Sequence, residues 1–186
     1  MGVLLGAART SSNVETLAEG ALLLRGFVAA EAASIFEIVR QIAVAAPFRH
    51  MVTPGGYRMS VAMTNCGEVG WTTNRSGYRY ARFDPDSCLI NRYEPGAKLS
   101  LHQDKNEKRF DAPIVSFSLG LPATFLFGGL TRNERPRRVR LESGDVAVWG
   151  GPARLAYHGI DPLSEGIDPL TGGCRLNLTF RSALVG

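Results

Sequence analysis

Apolar and polar positions in the first third of the chain predict a strand, a helix and a second strand. The run Glu19–Val28 is mostly apolar, as a buried strand is. Across Glu31–Ala45, apolar residues recur at the i, i+3, i+4, i+7 spacing of an amphipathic helix, which Pro47 ends. Tyr57–Asn65 alternates as a strand does. These segments predict one N-terminal helix beside a β-rich remainder.

From Cys88 onward, short apolar runs are separated by Gly and Pro with little helical periodicity. Many short strands at this spacing indicate an antiparallel sandwich or barrel. We therefore predict a mainly β (α+β) fold in which the N-terminal helix supports the β core. The runs are CLINRYE, LSLHQD, IVSFSLGL, ATFLFGG, RRVRLE, DVAVWGG, LAYHGI and RLNLTFR.

The composition fits a single domain over residues 1–186. The chain is 45% hydrophobic and 20% charged, which is enough apolar material for a core, and its net charge of +4 permits a polyanionic partner without requiring one. No apolar run approaches the ~20 residues that span a bilayer, so no membrane partner is expected. The 3 cysteines are widely spaced, which argues against a disulfide framework and favours the cytoplasm. We expect the protein to be a monomer.

Two of the 3 histidines occupy positions that suit a metal ligand. His102 and Asp104 are two residues apart in a predicted strand, so their side chains share one face. Two His and one carboxylate form the facial triad that leaves Fe(II) open positions for a bidentate cosubstrate and O₂. The third ligand must be His50 or His158, and His158, at the end of a strand-like run, is the better candidate. Taken alone, His102 and Asp104 also fit an ordinary polar surface pair.

A strand near the C-terminus carries arginines on one face. In Arg175–Arg181 (RLNLTFR), every second residue is polar and the residues between them are apolar. A guanidinium group suits a dicarboxylate cosubstrate because it donates two parallel hydrogen bonds to one carboxylate. The alternative is an amphipathic strand whose polar face lies in water.

In this order, HxD, a later His and RxNxTxR resemble the AlkB family of Fe(II)/2-oxoglutarate-dependent dioxygenases. The resemblance to its bacterial members covers most of residues 47–181. It implies a double-stranded β-helix (jelly roll) and the cofactors Fe(II), 2-oxoglutarate and O₂. Residues from about 47 to 85 would form a substrate-recognition lid, and residues 86–181 the catalytic core. The matching segments include MVTPGGYRMSVAMTNCG, WTTNRSGY, CLINRYEPGAKLSLHQDK, APIVSFSLGLPATFLFGGL, GDVAVWGG and YHGI.

The same resemblance implies roles for the residues of the site. His102, Asp104 and His158 would hold Fe(II), and no other side chain is expected to act as a general base. Arg181 would clamp the distal carboxylate of 2-oxoglutarate. The other cosubstrate residues would be Leu89, Asn91, Tyr93, Arg175 and Asn177. Without the resemblance, the Asn and Tyr of LINRY would be taken as a polar pair in a barrel interior.

The implied substrate is single-stranded DNA or RNA with alkylated bases, with duplex DNA also possible. The implied reaction is oxidative demethylation of N1-methyladenine and N3-methylcytosine, which releases formaldehyde, succinate and CO₂. Trp71 and His102 would sandwich the flipped base, although a partly buried indole is the plain alternative for Trp71. Further contacts would come from Thr53, Met63, Tyr78, Asn106 and Arg132. Arginines after Arg132 would meet phosphates, or form a solvated face.

Two departures from the family pattern keep alternatives open. Asn106 stands where the family has an acidic residue near the substrate base. Between Pro85 and Asp86, a Pro-rich stretch and a helix that lie beside the lid are absent. The same chemistry on modified tRNA, a protein or a small molecule is therefore an alternative, as is a non-catalytic nucleic-acid-binding jelly roll. A Zn or Mn cupin is disfavoured because such a site does not need RxNxTxR.

Overall fold

The computed structural model describes residues 13–67, 69–74, 77–82, 87–107 and 110–183. Over these ranges, short strands dominate and a single α-helix, α1 (Ala32–Ala45), lies between the second and third of them. The strands are β1 (Val14–Ala18), β2 (Ala21–Leu24), β3 (Arg49–Val52), β4 (Arg58–Cys66), β5 (Val69–Asn74), β6 (Gly77–Arg82), β7 (Cys88–Tyr93), β8 (Leu99–His102), β9 (Ile114–Gly120), β10 (Ala123–Phe127), β11 (Arg137–Leu141), β12 (Val146–Trp149), β13 (His158–Ile160) and β14 (Arg175–Phe180).

The strands form two main antiparallel sheets and a separate hairpin. The larger sheet has 8 strands in the order β1-β2-β12-β9-β14-β7-β4-β3, and the smaller has 4 in the order β11-β10-β13-β8. The hairpin consists of β5 and β6. Many strands that are neighbours in a sheet are far apart in the chain, as in β14 between β9 and β7, which is the crossing pattern of a jelly roll. The predicted mainly β jelly roll is confirmed.

The larger sheet has one face on the helix and the other on the smaller sheet. Leu176 and Leu178 of β14 pack with Val39 of α1 in one apolar cluster. A second, larger cluster lies between the sheets and contains residues such as Phe125 and Trp149. Because side chains alternate along a strand, the polar residues of β14 point towards this interior. In Arg175–Arg181 the apolar residues therefore face α1, and the polar residues face the space between the two sheets.

The elements confirm most of the sequence-based assignments. The predicted helix appears as α1, and each predicted run after Cys88 contains a strand. The strand predicted over Glu19–Val28 is confirmed as β2, but its predicted bounds are too wide, because the segment begins in a turn and β2 covers only Ala21–Leu24. Gly20 allows that turn with φ of 76°, and a Cβ there would lie 2.5 Å from the carbonyl oxygen of Gly150. The turn of the β1–β2 hairpin therefore lies too close to Gly150, at the end of β12, for residue 20 to carry any side chain.

The larger sheet continues across the proposed boundary between lid and core. The strands β3 and β4 precede residue 86, yet β4 pairs with β7 from Ala62 to Cys66. Among the described strands, only β5 and β6 pair with neither main sheet. The division into lid and core stays a prediction about function. In the ranges described above, no helix has the length and apolar content needed to cross a membrane.

Candidate metal and cosubstrate site

Two strands of the smaller sheet bring the histidines together. His102 on β8 lies directly opposite His158 on β13, and their ring centroids are 4.4 Å apart. The strands approach closely at Gly159, where a Cβ would lie 2.5 Å from the carbonyl oxygen of Leu99. Asp104 follows the end of β8 and completes the group. The third ligand candidate is thus His158, whereas His50 on β3 bonds the carbonyl of Met59 and is absent from this group.

Both imidazoles are fixed with the same nitrogen aimed at the carboxylate. The Nδ1–H group of His102 donates to the carbonyl of Ser100 at 2.9 Å. In the same way, Nδ1–H of His158 donates to the carbonyl of Ala156 at 3.0 Å. A carbonyl only accepts, so each Nε2 keeps its lone pair for a ligand. Such tethers are typical of metal-binding histidines, because they set both the tautomer and the ring orientation.

Distances and charges in this group suit a divalent cation. Each Nε2 lies 3.7 Å from an oxygen of Asp104, and ligand atoms of the three residues are all within 4.8 Å of one another. Burial, and then the neighbouring His102, lower the pKa of His158 to about 4, so this ring is neutral at pH 7. Burial opposes ionisation of Asp104, but Arg181 and the two imidazoles hold the pKa of its carboxyl group below the usual range. The donor set fits Fe(II).

Arg181 lies against the metal-site carboxylate. Its Nη2 and Nε are 2.6 Å and 2.8 Å from Oδ2 of Asp104. Its Nε also lies 3.5 Å from buried Glu107, whose other oxygen is 3.4 Å from Arg154. Arg154 in turn donates to the backbone carbonyl of Asp104 at 2.9 Å. These four residues form a buried ionic network that holds the loop after β8 in place.

Arg175 is the second buried arginine of this face, and its contacts are different. The residue is 1% exposed, and its Nη2 donates to Ser118 at 2.9 Å. Its carbon Cζ lies 5.2 Å from the ring centroid of Tyr93. Its Nε and Nη1 have no hydrogen-bond acceptor within the described part of the chain. Buried donors without acceptors are costly, so this guanidinium is suited to an incoming carboxylate.

An amide and hydroxyl network lines the cavity beside Arg175. Asn91 donates to Asn177 at 3.2 Å, and Asn177 donates to Ser116 at 2.7 Å. Thr179 donates to the same Asn177 oxygen at 3.0 Å. Burial raises the pKa of Tyr93 to about 12, so its hydroxyl stays protonated at neutral pH and can donate. The side chains of β7 and β14 in this network are uncharged hydrogen-bonding groups along the cavity.

A cavity of about 710 Å³ joins the metal group, the arginines and the outer surface. It is large enough for a small cosubstrate together with a flipped base. Of the site residues predicted from the sequence, those along it are Thr53, Met63, Trp71, Leu89, Asn91, Tyr93, His102, Asp104, Asn106, Arg132, His158, Arg175, Asn177 and Arg181. Tyr78 is the exception, because its side chain lies outside the described residues.

The mouth of the cavity carries the predicted substrate residues. The backbone of Trp71 exchanges hydrogen bonds of 3.1 Å with the side-chain amide of Asn65, which anchors this strand of the hairpin. Met63 is only 1% exposed and belongs to the core, whereas Asn106 is exposed. Thr53 accepts a hydrogen bond from the backbone of Tyr57, so it shapes the turn before β4. These residues adjoin the cavity, and their contacts with substrate stay a prediction.

The predicted run of phosphate-binding arginines is mostly engaged within the protein. Arg137 donates to the carbonyl of Thr16 at 2.7 Å. Arg138 is paired with Asp161, and Arg140 with Glu142. Arg132 is the member of the run that lies along the cavity. The structure thus favours the solvated-face interpretation for much of the run.

Some residues of the site were not found by the sequence analysis. Glu107 and Arg154 stabilise the loop of Asp104, and Ser118 holds Arg175. Trp149 packs against His158 with a centroid distance of 4.9 Å. Glu107 lies just after HxD, so its proximity to the metal group was a usable signal. Arg154 has no local signal because it lies 50 residues along the chain from Asp104, to whose carbonyl it donates.

Comparison with known proteins adds an independent line of evidence. The model of the 2OG-Fe(II) oxygenase superfamily matches residues 20–85 and 81–181. The alpha-ketoglutarate-dependent dioxygenase AlkB of Escherichia coli is 53% identical over 200 residues, covering 91% of this chain and 93% of that protein. The DNA N(6)-methyladenine demethylase ALKBH1D of Arabidopsis thaliana is 41% identical over 110 residues, 52% of this chain and 24% of that protein. The solved structure of OsALKBH1 has a TM-score of 0.76 at 27% identity, covering 91% of this chain and 99% of that one.

The comparisons also support the shorter connection between β6 and β7. The alignment with the E. coli protein has 200 positions, more than the 186 residues of this chain, so part of that relative has no counterpart here. The family model matches in two pieces that meet at residues 81–85. Residues 83–86 lie outside the described ranges. The two pieces of the family match thus meet beside Pro85, and the position of the missing stretch stays a prediction.

Proposed function

The chain belongs to the 2OG-Fe(II) oxygenase superfamily, and from this premise we propose that it oxidatively demethylates N1-methyladenine and N3-methylcytosine in nucleic acid. As a member of the superfamily it is an oxidoreductase that uses Fe(II), 2-oxoglutarate and O₂. The observation that carries the proposal is one cavity that joins the His102–Asp104–His158 group to the arginine face of β14. Its size leaves room for a base beside the cosubstrate.

The three converging side chains are the proposed Fe(II) ligands. Two imidazole Nε2 atoms and one carboxylate form the donor set expected of non-haem Fe(II) oxygenases. When bound, Fe(II) and 2-oxoglutarate together activate O₂, so that the methyl carbon on the base is hydroxylated and 2-oxoglutarate becomes succinate and CO₂. The hydroxymethyl group then leaves the ring nitrogen as formaldehyde. The protein's part is to position the reactants beside one another.

We assign the two arginines different roles from those first expected. Arg175 takes the distal carboxylate of 2-oxoglutarate, because its buried guanidinium still has donors without acceptors. Arg181 steadies Asp104, with which it already forms a close ion pair. The amides of Asn91 and Asn177 and the hydroxyl of Tyr93 complete the pocket beside Leu89. In this assignment of roles, both arginines still belong to the cosubstrate region.

The substrate base is proposed to lie between Trp71 and His102 at the outer part of the cavity. Methylation at these ring nitrogens gives the base a positive charge, and an aromatic face attracts a cation. Arg132 is proposed to contact a phosphate, and Thr53, Met63, Tyr78 and Asn106 to line the base or its backbone. The name of the Arabidopsis relative, a DNA demethylase, supports a nucleic-acid substrate.

The proposal is tested by mass spectrometry of a single-stranded oligonucleotide with one N1-methyladenine. With Fe(II), O₂ and 2-oxoglutarate, the N-methyl group is replaced by hydrogen, so the mass of the oligonucleotide falls by that of one CH₂ unit. Formaldehyde appears in equal amount. Without 2-oxoglutarate its mass is unchanged. His102→Ala abolishes the reaction, whereas Trp71→Ala mainly raises the KM for the oligonucleotide. An unchanged oligonucleotide in the complete mixture overturns the proposal.

A second candidate is the same chemistry on another target, such as modified tRNA, a protein or a small molecule. It is favoured by exposed Asn106, which replaces an acidic residue, and by the short connection between β6 and β7. The two candidates differ in coupling. If 2-oxoglutarate is converted to succinate with every methylated oligonucleotide but no formaldehyde forms, the alternative replaces the first proposal.

A further inference from the structure

Two cysteines outside the cavity lie directly opposite each other on adjacent strands. Cys66 is the last residue of β4, Cys88 is the first residue of β7, and the antiparallel register pairs them. All three cysteines of the chain are free thiols. Sequence spacing gave no sign of this pair, because the two residues are separated by the whole β5–β6 hairpin.

The pairing geometry is close to that of a disulfide. Directly opposed residues of an antiparallel pair have Cβ atoms about 4.5–5.5 Å apart, and a disulfide needs about 3.5–4.5 Å. A movement of roughly 1 Å at the ends of two strands therefore suffices. Strand ends yield more easily than strand centres, since fewer ladder hydrogen bonds hold them.

Within the described part of the chain, the pair borders a groove that opens to solvent. A groove of about 500 Å³ is lined by both cysteines, with Ser87 and Phe180 among its other walls. Cys88 is 3% exposed, whereas Cys66 is half-buried. Cys66 is therefore the thiol that a reagent meets first. The remaining thiol, Cys174, is engaged elsewhere and donates to the carbonyl of Thr171 at 3.3 Å.

The protonation states of the two thiols are complementary. A hydrogen bond from Cys88 lowers the pKa of Cys66 to about 7, so much of it is thiolate at neutral pH. The same interaction, together with burial, raises the pKa of Cys88. One partner is thus a nucleophile, and the other is a protonated thiol held beside it.

We propose that Cys66 and Cys88 form a reversible disulfide by exchange with a small-molecule disulfide of the glutathione type. The thiolate sulfur of Cys66 attacks one sulfur of the oxidant, the S–S bond of the oxidant breaks, and one glutathione thiolate leaves. Cys88 then loses its proton to water and attacks the Cys66 sulfur, which expels the second glutathione thiolate. In total two protein thiols are oxidised to one disulfide and one glutathione disulfide is reduced to two thiols.

The pair lies next to the proposed cosubstrate region. The backbone N–H of Arg181 donates to the carbonyl of Ser87 at 3.0 Å, one residue before Cys88. Strand β7 continues from Cys88 to Asn91 and Tyr93 of the pocket. A disulfide at the start of β7 thus links the redox state of the thiols to the strand that supplies pocket residues.

The test is a redox titration of the folded protein in glutathione buffers, with thiols blocked by N-ethylmaleimide and the intact mass measured. Wild-type protein and Cys174→Ser are both expected to lose two reactive thiols together as the oxidised fraction rises. Cys88→Ser is expected to stop at a mixed disulfide between glutathione and Cys66. Cys66→Ser is expected to keep its remaining thiols reduced under the same conditions.

Peptide mapping of the oxidised wild-type protein tests the linkage without any variant. Trypsin cleaves at arginines between the two cysteines, so a disulfide joins two separate peptides. A linked pair that contains Cys66 and Cys88, and that dithiothreitol separates, is the expected result. Three fully blocked thiols at every redox ratio, or linkage through Cys174, overturns the proposal. Neither readout depends on catalytic activity or on the identity of the substrate.

Discussion

Arg175 and Arg181 share one strand face in the sequence, but they have different partners in the fold. Arg181 pairs with Asp104, whereas Arg175 keeps donors without acceptors in the described structure. Alternation along the strand was enough to predict that both lie on one face of it. Which of them meets a protein carboxylate depends on the loop after β8, and that loop comes from a distant part of the chain. This is why the role that we propose for Arg181 differs from the one expected from the sequence.

The different partners predict different losses on substitution. Arg175→Met is expected to raise the KM for 2-oxoglutarate by about 10- to 100-fold, the equivalent of a charged hydrogen bond worth ~1.5–3 kcal/mol. The same variant should keep its Fe(II) affinity. Arg181→Met leaves Asp104 and Glu107 without their shared cation, so it should lower metal affinity and thermal stability.

Steady-state kinetics and anaerobic metal titration of both variants measure these losses. The variant Arg175→Lys serves as a control, because lysine retains the positive charge of Arg175 but not its planar pair of hydrogen-bond donors. If Arg175→Met and Arg181→Met have the same profile, the proposed division of roles is wrong.

At the scale of single elements, the close approach of β8 and β13 sets the metal group. The two histidines are register partners, and Gly159 is the residue that allows their strands to touch. A methyl group at this position would meet the backbone oxygen of Leu99 at 2.5 Å, so one strand must move. The adjacent His102 and His158 would then separate.

Gly159→Ala is therefore expected to weaken binding of a divalent metal by at least about tenfold, or ~1.4 kcal/mol. Its effect on stability should be smaller than that of removing a core side chain, because no apolar contact is lost. Calorimetric titration with Co(II) measures the affinity. Gly172→Ala is the control, since the space around Gly172 is open although its φ of 68° disfavours a side chain. Equal metal affinity in Gly159→Ala and wild type would contradict this account of the strand contact.

The elements themselves were largely predictable from local pattern. Helix α1 and the strands after Cys88 follow from the spacing of apolar residues along the chain. The segment Glu19–Val28 was less predictable. A turn at Gly20 precedes its apolar residues. The close contact with Gly150 that requires glycine there belongs to the tertiary structure and has no sign in the local sequence. The pairing of Cys66 with Cys88 is likewise set by topology and not by spacing.

For the whole molecule, burial of the metal group predicts a pH dependence of stability. The pKa of His158 is about 4 in the folded chain, below the ordinary 6.5, so between these values the unfolded state binds more protons. Stability then rises with pH. The contribution of His158 is fully present above about pH 6.5 and is lost as the pH falls towards 4, a change on the order of 3 kcal/mol.

Urea unfolding of the chelator-treated protein from pH 7 to pH 4 measures this dependence. The free energy of unfolding should fall over that window, and it should fall less steeply in His158→Asn, which has no imidazole to protonate. The same slope in both proteins would show that other groups cause the acid sensitivity.

Both sheets contribute residues to the site. This explains which parts of the site could be predicted from the sequence and which could not. The order HxD, His, RxNxTxR along the chain was sufficient to suggest the metal group and the arginine face. The network through Glu107 and Arg154 was not, because its members become neighbours only when the loops after β8 and β12 fold together. The cavity between the sheets is a property of the whole fold.

Anaerobic titration of the protein with Fe(II) and 2-oxoglutarate, followed by visible absorption, tests the central claim most directly. A charge-transfer band is predicted that needs both components and saturates at one iron and one 2-oxoglutarate per chain. The band should be absent in Asp104→Ala, and in Arg175→Met it should require a higher concentration of 2-oxoglutarate. No band in the folded wild-type protein at saturating concentrations of both components would contradict the assignment of this site.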